Sequence, residues 1–400
     1  MMKRLLSLLL ATLMLTTTLV GCANEILDPP PSSEITPGDP YMPRLKGLNA
    51  YDDFVFGDYV ITTSHGANGM HNRITKESTH ICGVKNCSAA KDGCPLSEIY
   101  SSQGVTLGRD GAIRVKGITE NRIYFTNTTA SLYHPPYYGY IDLQTHEVTR
   151  LLELNSYELI LTRPMFLDGD WVYLARKHLV KGGVAGRTAD YVACLSRIPA
   201  DGGNEEILYT MRDDSETLAL VAGGYMYTYY QSKLWRTDLE TWEQVVLLDM
   251  ELTPFARIKD LSYLDGFLYF VAVYGDDQKL LRMDPQSGGW AHVVSQPMAA
   301  YAITNDAVYY IPYEKRQVND PAVYPADSKS AMYTTYASSI FTCDHEGGNV
   351  RKVWTDDSGL IGFSSSFTVV DNTFYGWVKV FDSENNIWNA SRFTEISFDD

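Results

Sequence analysis

The amino-acid sequence predicts an all-β protein and, more specifically, a seven-bladed β-propeller. Apolar residues mostly alternate with polar ones or form short runs rich in Tyr, Val, Ile, Phe and Trp, which is typical of β-strands. These runs are bounded by turn pairs such as Asp-Gly, and a unit built on such a pair recurs seven times. Rings of six or eight blades are the alternatives, because the first unit is the least regular.

Each unit reads as four antiparallel strands. One strand precedes the turn pair, an aromatic strand follows it, a third strand ends in Asp, and a fourth follows a second polar turn. The turn pairs are Gly57-Asp58, Glu120-Asn121, Asp168-Gly169, Gly223-Gly224, Asp265-Gly266, Asn305-Asp306 and Asp371-Asn372. A repeated four-stranded unit indicates a propeller blade, because a sheet with two apolar faces can bury both only between neighbours in a ring.

One tyrosine stands at the same place in the second strand of six units. These residues are Tyr124, Tyr173, Tyr227, Tyr269, Tyr309 and Tyr375. Their fixed position in the repeat predicts that they pack between blades rather than stack on a sugar.

The N-terminus predicts export and lipid anchoring. Lys3 and Arg4 precede an apolar run over residues 5–20, as in a secretory signal. The run ends in Leu-Val-Gly-Cys at residues 19–22, which resembles the lipobox of bacterial lipoproteins. We therefore expect residues 1–21 to be a signal peptide and Cys22 to carry lipid, placing the protein on the extracytoplasmic face of the cell membrane.

The rest of the chain divides into a tether and one folded domain. Residues 22–43 are rich in proline and polar residues, a composition typical of an extended tether, and the propeller is expected over residues 44–400. The formal net charge of −16 disfavours nucleic acid as a partner. Because the last unit ends after its third strand, we expect a segment near the N-terminus, residues 41–50, to close the ring.

Loop lengths predict which face of the propeller is functional. The loops between the second and third strands are long at residues 127–137, 176–190 and 313–338, whereas the turns between the first and second strands are short. The long loops carry aromatic residues suited to binding a protein, a peptide or a cell-wall glycan. The candidate ligand-binding residues are Tyr133, His134, Tyr137, Tyr313, Tyr324 and Tyr336.

A cysteine-rich loop over residues 80–95 holds Cys82, Cys87 and Cys94. A disulfide is favoured outside the cytoplasm, where thiols are commonly oxidised. Zinc bound by these three cysteines and His80 is a second possibility, and free thiols are a third. No other cofactor is expected. Cys194 and Cys343 lie within third strands and read as buried packing residues.

The lipobox, the Pro-rich tether, the repeated blade pattern and the cysteine cluster together resemble uncharacterised β-propeller lipoproteins of Gram-positive anaerobes, related to TolB-like and lipoprotein-receptor-like propellers. Those relatives read C-x-K-P-x-C-x-H before a last cysteine. Cys82, Cys87 and Cys94 match the thiols, whereas Asn86 lies near the usual proline and Ala89 replaces the histidine. The missing histidine weakens the zinc hypothesis unless His80 or His71 substitutes. The resemblance brings no known activity.

The sequence contains no GxSxG, HExxH, phosphate-binding Gly-Lys-Ser/Thr loop or EF-hand motif, and its histidines form no spaced pair. We therefore expect a binding or scaffold module rather than an enzyme. The alternative is a propeller lyase or glycosidase acting on extracellular polysaccharide. That alternative requires charged residues to converge from inner strands, and the candidates are Arg114, Lys116, Arg257 and Lys259.

Overall fold

The structure is a computed structural model of the 400-residue chain. It describes residues 54–56, 58–62, 69–80, 113–118, 122–127, 137–142, 144–145, 147–154, 165–181, 190–213, 215–312, 314–317, 333–336, 339–355, 361–382, 387–388 and 392–398. The predicted signal peptide, the tether and the cysteine-rich loop beyond His80 lie outside these ranges.

The described strands form seven four-stranded antiparallel sheets, each of which is one blade, and one separate two-stranded hairpin. Blade 1 consists of β1 (Phe54–Phe56), β2 (Tyr59–Thr62), β3 (Gly69–Asn72) and β4 (Ser78–His80). Blade 2 consists of β5 (Ile113–Ile118), β6 (Arg122–Asn127), β7 (Tyr137–Asp142) and β8 (Val148–Glu153). Blade 3 consists of β9 (Met165–Asp168), β10 (Trp171–Lys181), β11 (Asp190–Pro199) and β12 (Glu206–Thr210). Blade 4 consists of β13 (Thr217–Ala222), β14 (Tyr225–Tyr230), β15 (Lys233–Asp238) and β16 (Gln244–Asp249).

A short 3-10 helix, Met250–Leu252, leads into the second half of the ring. Blade 5 consists of β17 (Arg257–Leu264), β18 (Phe267–Tyr274), β19 (Asp277–Met283) and β20 (Trp290–Val294). Blade 6 consists of β21 (Met298–Ile303), β22 (Val308–Pro312), β25 (Ser339–Cys343) and β26 (Arg351–Thr355), with the hairpin β23 (Glu314–Gln317) and β24 (Tyr333–Tyr336) inserted. Blade 7 consists of β27 (Ile361–Val370), β28 (Thr373–Asp382), the short β29 (Ile387–Trp388) and β30 (Arg392–Ser397).

The blades are arranged in a ring, because their inner strands touch in sequence order. β1 contacts β5, β5 contacts β9, β9 contacts β13, and β13 contacts β17. β21 contacts β27 and the third strand of blade 5, and β27 returns to β1. The seven-bladed β-propeller predicted from the sequence is confirmed.

The predicted tyrosines form the packing between blades. All six have relative exposures of 8% or less, and Tyr124, Tyr227 and Tyr269 are among the largest fully buried side chains. Cys194 and Cys343 are also buried, as expected. Burial of these rings is the main favourable contribution that holds neighbouring sheets together.

The turns between third and fourth strands share one hydrogen-bond pattern. Oδ1 of Asp142 accepts from the backbone N–H groups of Gln144 and Thr145, and Oδ1 of Asp238 accepts from Glu240 and Thr241. Asn72 supplies the same acceptor in blade 1. Asp therefore recurs at the end of third strands because its carboxylate satisfies backbone donors that the turn leaves unpaired. Blade 3 differs, since β11 ends at Pro199 before Asp201.

Blade 7 departs from the regular pattern at its outer edge. β30 pairs with β28 in the position of a third strand, and β29 pairs only with the far end of β28. Among the described residues, no fourth strand follows β30. Residues 41–50, the predicted closing segment, lie outside the described ranges. Within the part of the chain that the structure describes, no helix has the length and hydropathy of a membrane span.

Candidate functional site: the hairpin face

One face of the propeller carries the connections between second and third strands and the connections from each blade to the next. We call it the hairpin face. The opposite face carries only short connections in the described blades, for example Gly223-Gly224 between β13 and β14. A difference between the two faces was predicted from the loop lengths, and the described strands show how large it is.

In the part of the chain that the structure describes, three blades rise above the ring on the hairpin face. In blade 3, β10 and β11 stay paired up to Lys181 and Asp190, so much of the segment predicted as a loop, residues 176–190, is a continuing β-ladder. In blade 6, the inserted hairpin β23–β24 lies within the predicted loop 313–338. In blade 7, β28 runs to Asp382 and pairs there with β29. β24 contacts β27, so the projections of blades 6 and 7 are neighbours.

Blades 4 and 5 are low on the same face. Gln231 and Ser232 join β14 to β15 with φ values of 50° and 56°, as in a type I′ turn. Gly275 and Asp276 join β18 to β19 in the same two-residue length. The surface between the projections of blades 3 and 6 is therefore a shelf, which we call the blade 4–5 shelf. It consists of residues 211–213, 215–216, 230–233, 250–257 and 274–277.

A buried carboxylate fixes one side of the shelf. The Glu216 side chain has no solvent exposure and precedes the inner strand β13. It accepts hydrogen bonds from the Arg212 backbone N–H at 2.7 Å and from Thr228 Oγ1 at 2.9 Å, and it pairs with the Arg212 guanidinium at 3.2 Å. These partners compensate for the removal of the carboxylate from water. Glu216 therefore ties the connection between blades 3 and 4 to the second strand of blade 4.

The Arg212 guanidinium is enclosed by aromatic rings. Its central carbon lies 4.3 Å from the ring centroid of Trp235 and 5.0 Å from that of Tyr230, and Nη2 donates to Gln244 Oε1 at 2.6 Å. Tyr230 in turn donates its hydroxyl hydrogen to Asp213 at 3.0 Å. Cation–π contacts of this kind stabilise a side chain in one position. The shelf is thus a preorganised surface and not a mobile loop end.

Next to this cluster, Leu252 stands out from the shelf. It lies in the 3-10 helix and is 85% exposed, the largest exposure among the large hydrophobic residues that are described as exposed. The Met250 backbone N–H donates to the carbonyl of Ser232, which holds this helix beside the low turn of blade 4. An apolar side chain held in water on a fixed support is typical of a contact residue.

The structure places only some of the predicted site residues. Tyr137 begins β7 with 3% exposure, its ring edge-on to Phe125 at 5.8 Å and under the Arg150 guanidinium at 4.8 Å, so it packs within blade 2. Tyr336 ends β24 on the blade 6 projection, and His80 ends β4. The remaining predicted residues lie outside the described ranges: Cys22, Cys82, Cys87, Cys94, Tyr133, His134, Tyr313 and Tyr324.

Within the described ranges, no group of three or more His, Cys, Asp or Glu side chains is placed to hold a metal ion. His71, which could have replaced the missing histidine of the cysteine cluster, uses both ring nitrogens elsewhere. Nδ1 lies 2.8 Å from Ser78 Oγ, and Nε2 lies 2.5 Å from Glu395 Oε1. The zinc hypothesis for residues 80–94 therefore gains no support from His71.

The charged inner-strand residues fall on two blades. Arg114 and Lys116 lie in β5, and Arg257 and Lys259 lie in β17. Both strands contain a bulge, next to Lys116 in β5 and after Lys259 in β17. Bulges redirect side chains and are frequent near active sites, but they are equally used to curve inner strands. β13 has the same irregularity beside an alanine, Ala219, so the bulge by itself does not indicate catalysis.

No protein-family model matches the chain, and no curated protein sequence matches it significantly. Solved structures do match. An oligogalacturonate lyase from Vibrio parahaemolyticus aligns with a TM-score of 0.51 and 8% identity, over 86% of this chain and 91% of that one. An oligogalacturonate lyase in complex with manganese aligns with a TM-score of 0.48 and 8% identity, over 80% and 81% of the two chains.

A structure described as TolB from Agrobacterium tumefaciens aligns with a TM-score of 0.35 and 12% identity, over 69% of this chain and 87% of that one. At these identities the likenesses show the fold alone. The chain is a β-propeller module. The ligands and substrates of these proteins of similar fold are not assigned to this chain.

Proposed function

We propose that this chain is a lipid-anchored, extracytoplasmic binding or scaffold module that presents its hairpin face to a protein, a peptide or a cell-wall glycan. One observation carries the proposal: the hairpin face is uneven, with projections on blades 3, 6 and 7 beside the low blade 4–5 shelf. A propeller needs none of these projections to close its ring, since blades 4 and 5 are complete with two-residue turns. Extra ordered structure on one face is where binding is usually located.

The shelf suits a binding partner better than a reacting substrate. The half-buried Arg212 and the buried Glu216 are paired with each other and bonded to neighbours, so they hold the surface in shape and neither is an unpaired group poised to move a proton. Leu252 supplies apolar contact area instead. Rigid presentation of such a residue lowers the entropy lost on binding.

The test is removal of one projection. Residues 314–337 are replaced by Asn-Gly, the turn sequence that best supports a two-residue type I′ hairpin. The matched control replaces Asp265-Gly266, a two-residue turn on the opposite face, by Asn-Gly. After cross-linking on intact cells, we expect the first variant to lose the partner that the wild-type protein retains and the control to keep it. Both variants must show the wild-type circular dichroism spectrum.

An unchanged partner in the variant without the projection would contradict the assignment of the face. Release of unsaturated sugars from an acidic polysaccharide, followed by ultraviolet absorbance, would instead favour the lyase alternative, particularly if Arg257→Ala abolished it.

Anchoring is tested separately with Cys22→Ser. We expect the wild-type protein to enter the detergent phase on temperature-induced phase separation and the variant to stay in the aqueous phase or keep its signal peptide, because lipid on Cys22 is the expected membrane attachment. Detergent partitioning equal to that of the wild-type protein, in a variant whose signal peptide has been removed, would refute lipidation at this residue.

A further inference from the structure

At two seams, where blade 4 meets blade 5 and where blade 5 meets blade 6, an arginine of the third strand reaches the following blade. Arg236 stands opposite Tyr227 in blade 4, and its Nη1 donates to the carbonyl of Pro285 in the turn of blade 5 at 2.5 Å. Arg282 stands opposite Tyr269 in blade 5 and pairs with Glu346 in the turn of blade 6. At each of these seams, one third-strand side chain therefore holds the turn of the following blade.

Glu395 occupies the matching register in blade 7. It stands opposite Tyr375 on β28, as Arg236 and Arg282 stand opposite the tyrosines of their own blades. Its carboxylate reaches blade 1, where it pairs with the ammonium group of Lys76 and accepts from His71 Nε2 at 2.5 Å. The contact between blades 7 and 1 therefore repeats the Arg282–Glu346 contact with the charges reversed. We call His71, Lys76 and Glu395 the seam clasp.

The surroundings hold the clasp in place. His71 is 8% exposed, and its ring centroid lies 5.1 Å from that of Phe393. With Nε2–H donating to Glu395, Nδ1 is free to accept the hydroxyl hydrogen of Ser78, which lies directly across the strand pair. Ser78, His71 and Glu395 are hydrogen-bonded in the same order as the hydroxyl, imidazole and carboxylate of a catalytic triad. Here, however, the second carboxylate oxygen is taken by Lys76, so these hydrogen bonds tie two blades together.

A second ion pair lies beside the clasp. Arg73 Nη1 donates to Asp371 Oδ2 at 2.7 Å, again from the turn of blade 1 to blade 7. An arginine at position 395 would face Lys76 and be repelled by it. The negative charge of Glu395 thus matches the positive turn of blade 1, whereas Arg236 and Arg282 match the acceptors in the turns of blades 5 and 6.

We propose that the seam clasp closes the ring, and that the seam between blades 7 and 1 is the acid-sensitive one, at which the propeller opens first. The described polar side-chain contacts between blades 7 and 1 are the clasp and the Arg73–Asp371 pair, so charged and titratable groups make them. The charged and titratable groups around Glu395 are His71, Arg73, Lys76 and Glu77 on blade 1 and Asp371 and Tyr375 on blade 7.

The direction of the acid effect follows from Glu395. Burial acts to raise the pKa of its carboxyl, but hydrogen bonds from Lys76 and His71 and their charges outweigh burial, so the pKa lies below its usual value. Because folding lowers the pKa of this carboxyl, its ionised form stabilises the folded protein at every pH above the pKa that the group has in the unfolded chain. That stabilisation is lost as the pH falls through the lower pKa of the folded protein. Protonation of His71 leaves the clasp intact, because Nε2 and Nδ1 can then donate to Glu395 and Ser78.

The test is hydrogen exchange of the full mature chain, followed by mass spectrometry, between neutral pH and about pH 3.5. In the wild-type protein, after correction for the intrinsic pH dependence of amide exchange, acid should lower the protection of residues 69–80 and 392–398 before it lowers that of residues 225–238 of blade 4. Glu395→Gln should show fast seam exchange, by about tenfold, already at neutral pH and respond little further to acid. Arg236→Gln, which removes an internal contact, is the matched control and should leave the seam unchanged.

Two results would overturn the proposal. One is acid-induced exchange that begins in all blades together in the wild-type protein. The other is unchanged exchange of residues 69–80 and 392–398 in Glu395→Gln at neutral pH. If Glu395→Gln does not fold, the milder Lys76→Gln replaces it, and the same peptides must exchange faster than in the wild-type protein.

Discussion

Gly288 lies against the backbone carbonyl of Leu247, so that a Cβ atom at position 288 would stand 2.9 Å from that oxygen. Gly288 is in the turn between the third and fourth strands of blade 5, and Leu247 is in the outer strand of blade 4. In blade 4 the corresponding turn position holds Trp242, which stacks on Tyr209 of blade 3 at 6.3 Å. The turn between the third and fourth strands thus contacts the preceding blade in both cases. In blade 5 the contact is a close backbone approach, and in blade 4 it is an aromatic stack.

This relationship predicts a loss of stability for Gly288→Ala. Gly288 has a φ of +73°, and the matched control Gly275 has a φ of +60° with open space around it. We expect Gly275→Ala to lower the free energy of unfolding by about 1 kcal/mol through backbone strain alone. Gly288→Ala should cost about 2–4 kcal/mol, because the Cβ also pushes blades 4 and 5 apart. Urea denaturation measures both, and equal losses would show that the seam accommodates the methyl group.

The turn aspartates predict a pH dependence. Backbone N–H groups of Thr241 and Glu240 donate to Asp238 and hold the pKa of its carboxyl below the usual value. A carboxyl whose pKa is lower in the folded protein than in the unfolded chain stabilises the fold above its unfolded pKa. This stabilisation is lost as the pH falls through the pKa of the folded protein. In Asp238→Asn the amide oxygen keeps the turn, as Asn72 does in blade 1.

We therefore expect Asp238→Asn to be less stable than the wild-type protein at neutral pH and equally stable at about pH 3. Free energies of unfolding at both pH values give the comparison, with Asp265→Asn in another turn as the control. A difference that stays constant with pH would mean that the carboxylate charge contributes nothing to this turn.

Cys343 should be inert in the folded protein. Burial, with a further contribution from the neighbouring Asp344 charge, raises the pKa of its thiol to about 12, and Sγ lies 3.9 Å from the carbonyl of Val293. Since the thiolate is the reactive form, iodoacetamide should modify Cys343 only after denaturant is added. Peptide mass spectrometry reads the outcome, and rapid modification of the native protein would show that this strand opens readily.

The cysteine-rich loop has a different expected outcome. If two of Cys82, Cys87 and Cys94 form the favoured disulfide, alkylation of the denatured, unreduced protein should label Cys194, Cys343 and only one of the three. Native mass spectrometry with one zinc per chain, lost when the three cysteines are replaced by serine, would contradict the disulfide.

The sequence predicts the structural features that recur from blade to blade, but not those that occur in a single blade. Tyr227 and Asp238 could be assigned because the same residue type recurs at the same register in other blades. The hairpin β23–β24 has no counterpart in the other units, and its strands are short, so nothing in residues 313–338 separated them from a loop. In blade 3, Arg176 marked the start of a predicted loop, but the β10–β11 ladder continues past it because cross-strand pairing overrides local composition.

The seam clasp was missed for another reason. His71 and Glu395 are 324 residues apart, and only closure of the ring brings them together. The reversed sign at position 395 becomes visible only after β30 is aligned with the third strands of blades 4 and 5. Similarly, the enclosure of Arg212 by Trp235 and Tyr230 depends on the turn of blade 4, which the local sequence around residue 212 does not reveal.

The most direct test of the binding surface compares two exposed apolar residues on opposite faces. A photoreactive amino acid is placed at Leu252 on the blade 4–5 shelf, or at Ile74 in the turn of blade 1, which is 69% exposed. After illumination of intact cells, our account predicts a discrete cross-linked partner from position 252, competed by unlabelled propeller, and none from position 74. Equal cross-linking from both positions, or a specific product from position 74 alone, would contradict the assignment of the hairpin face as the binding surface.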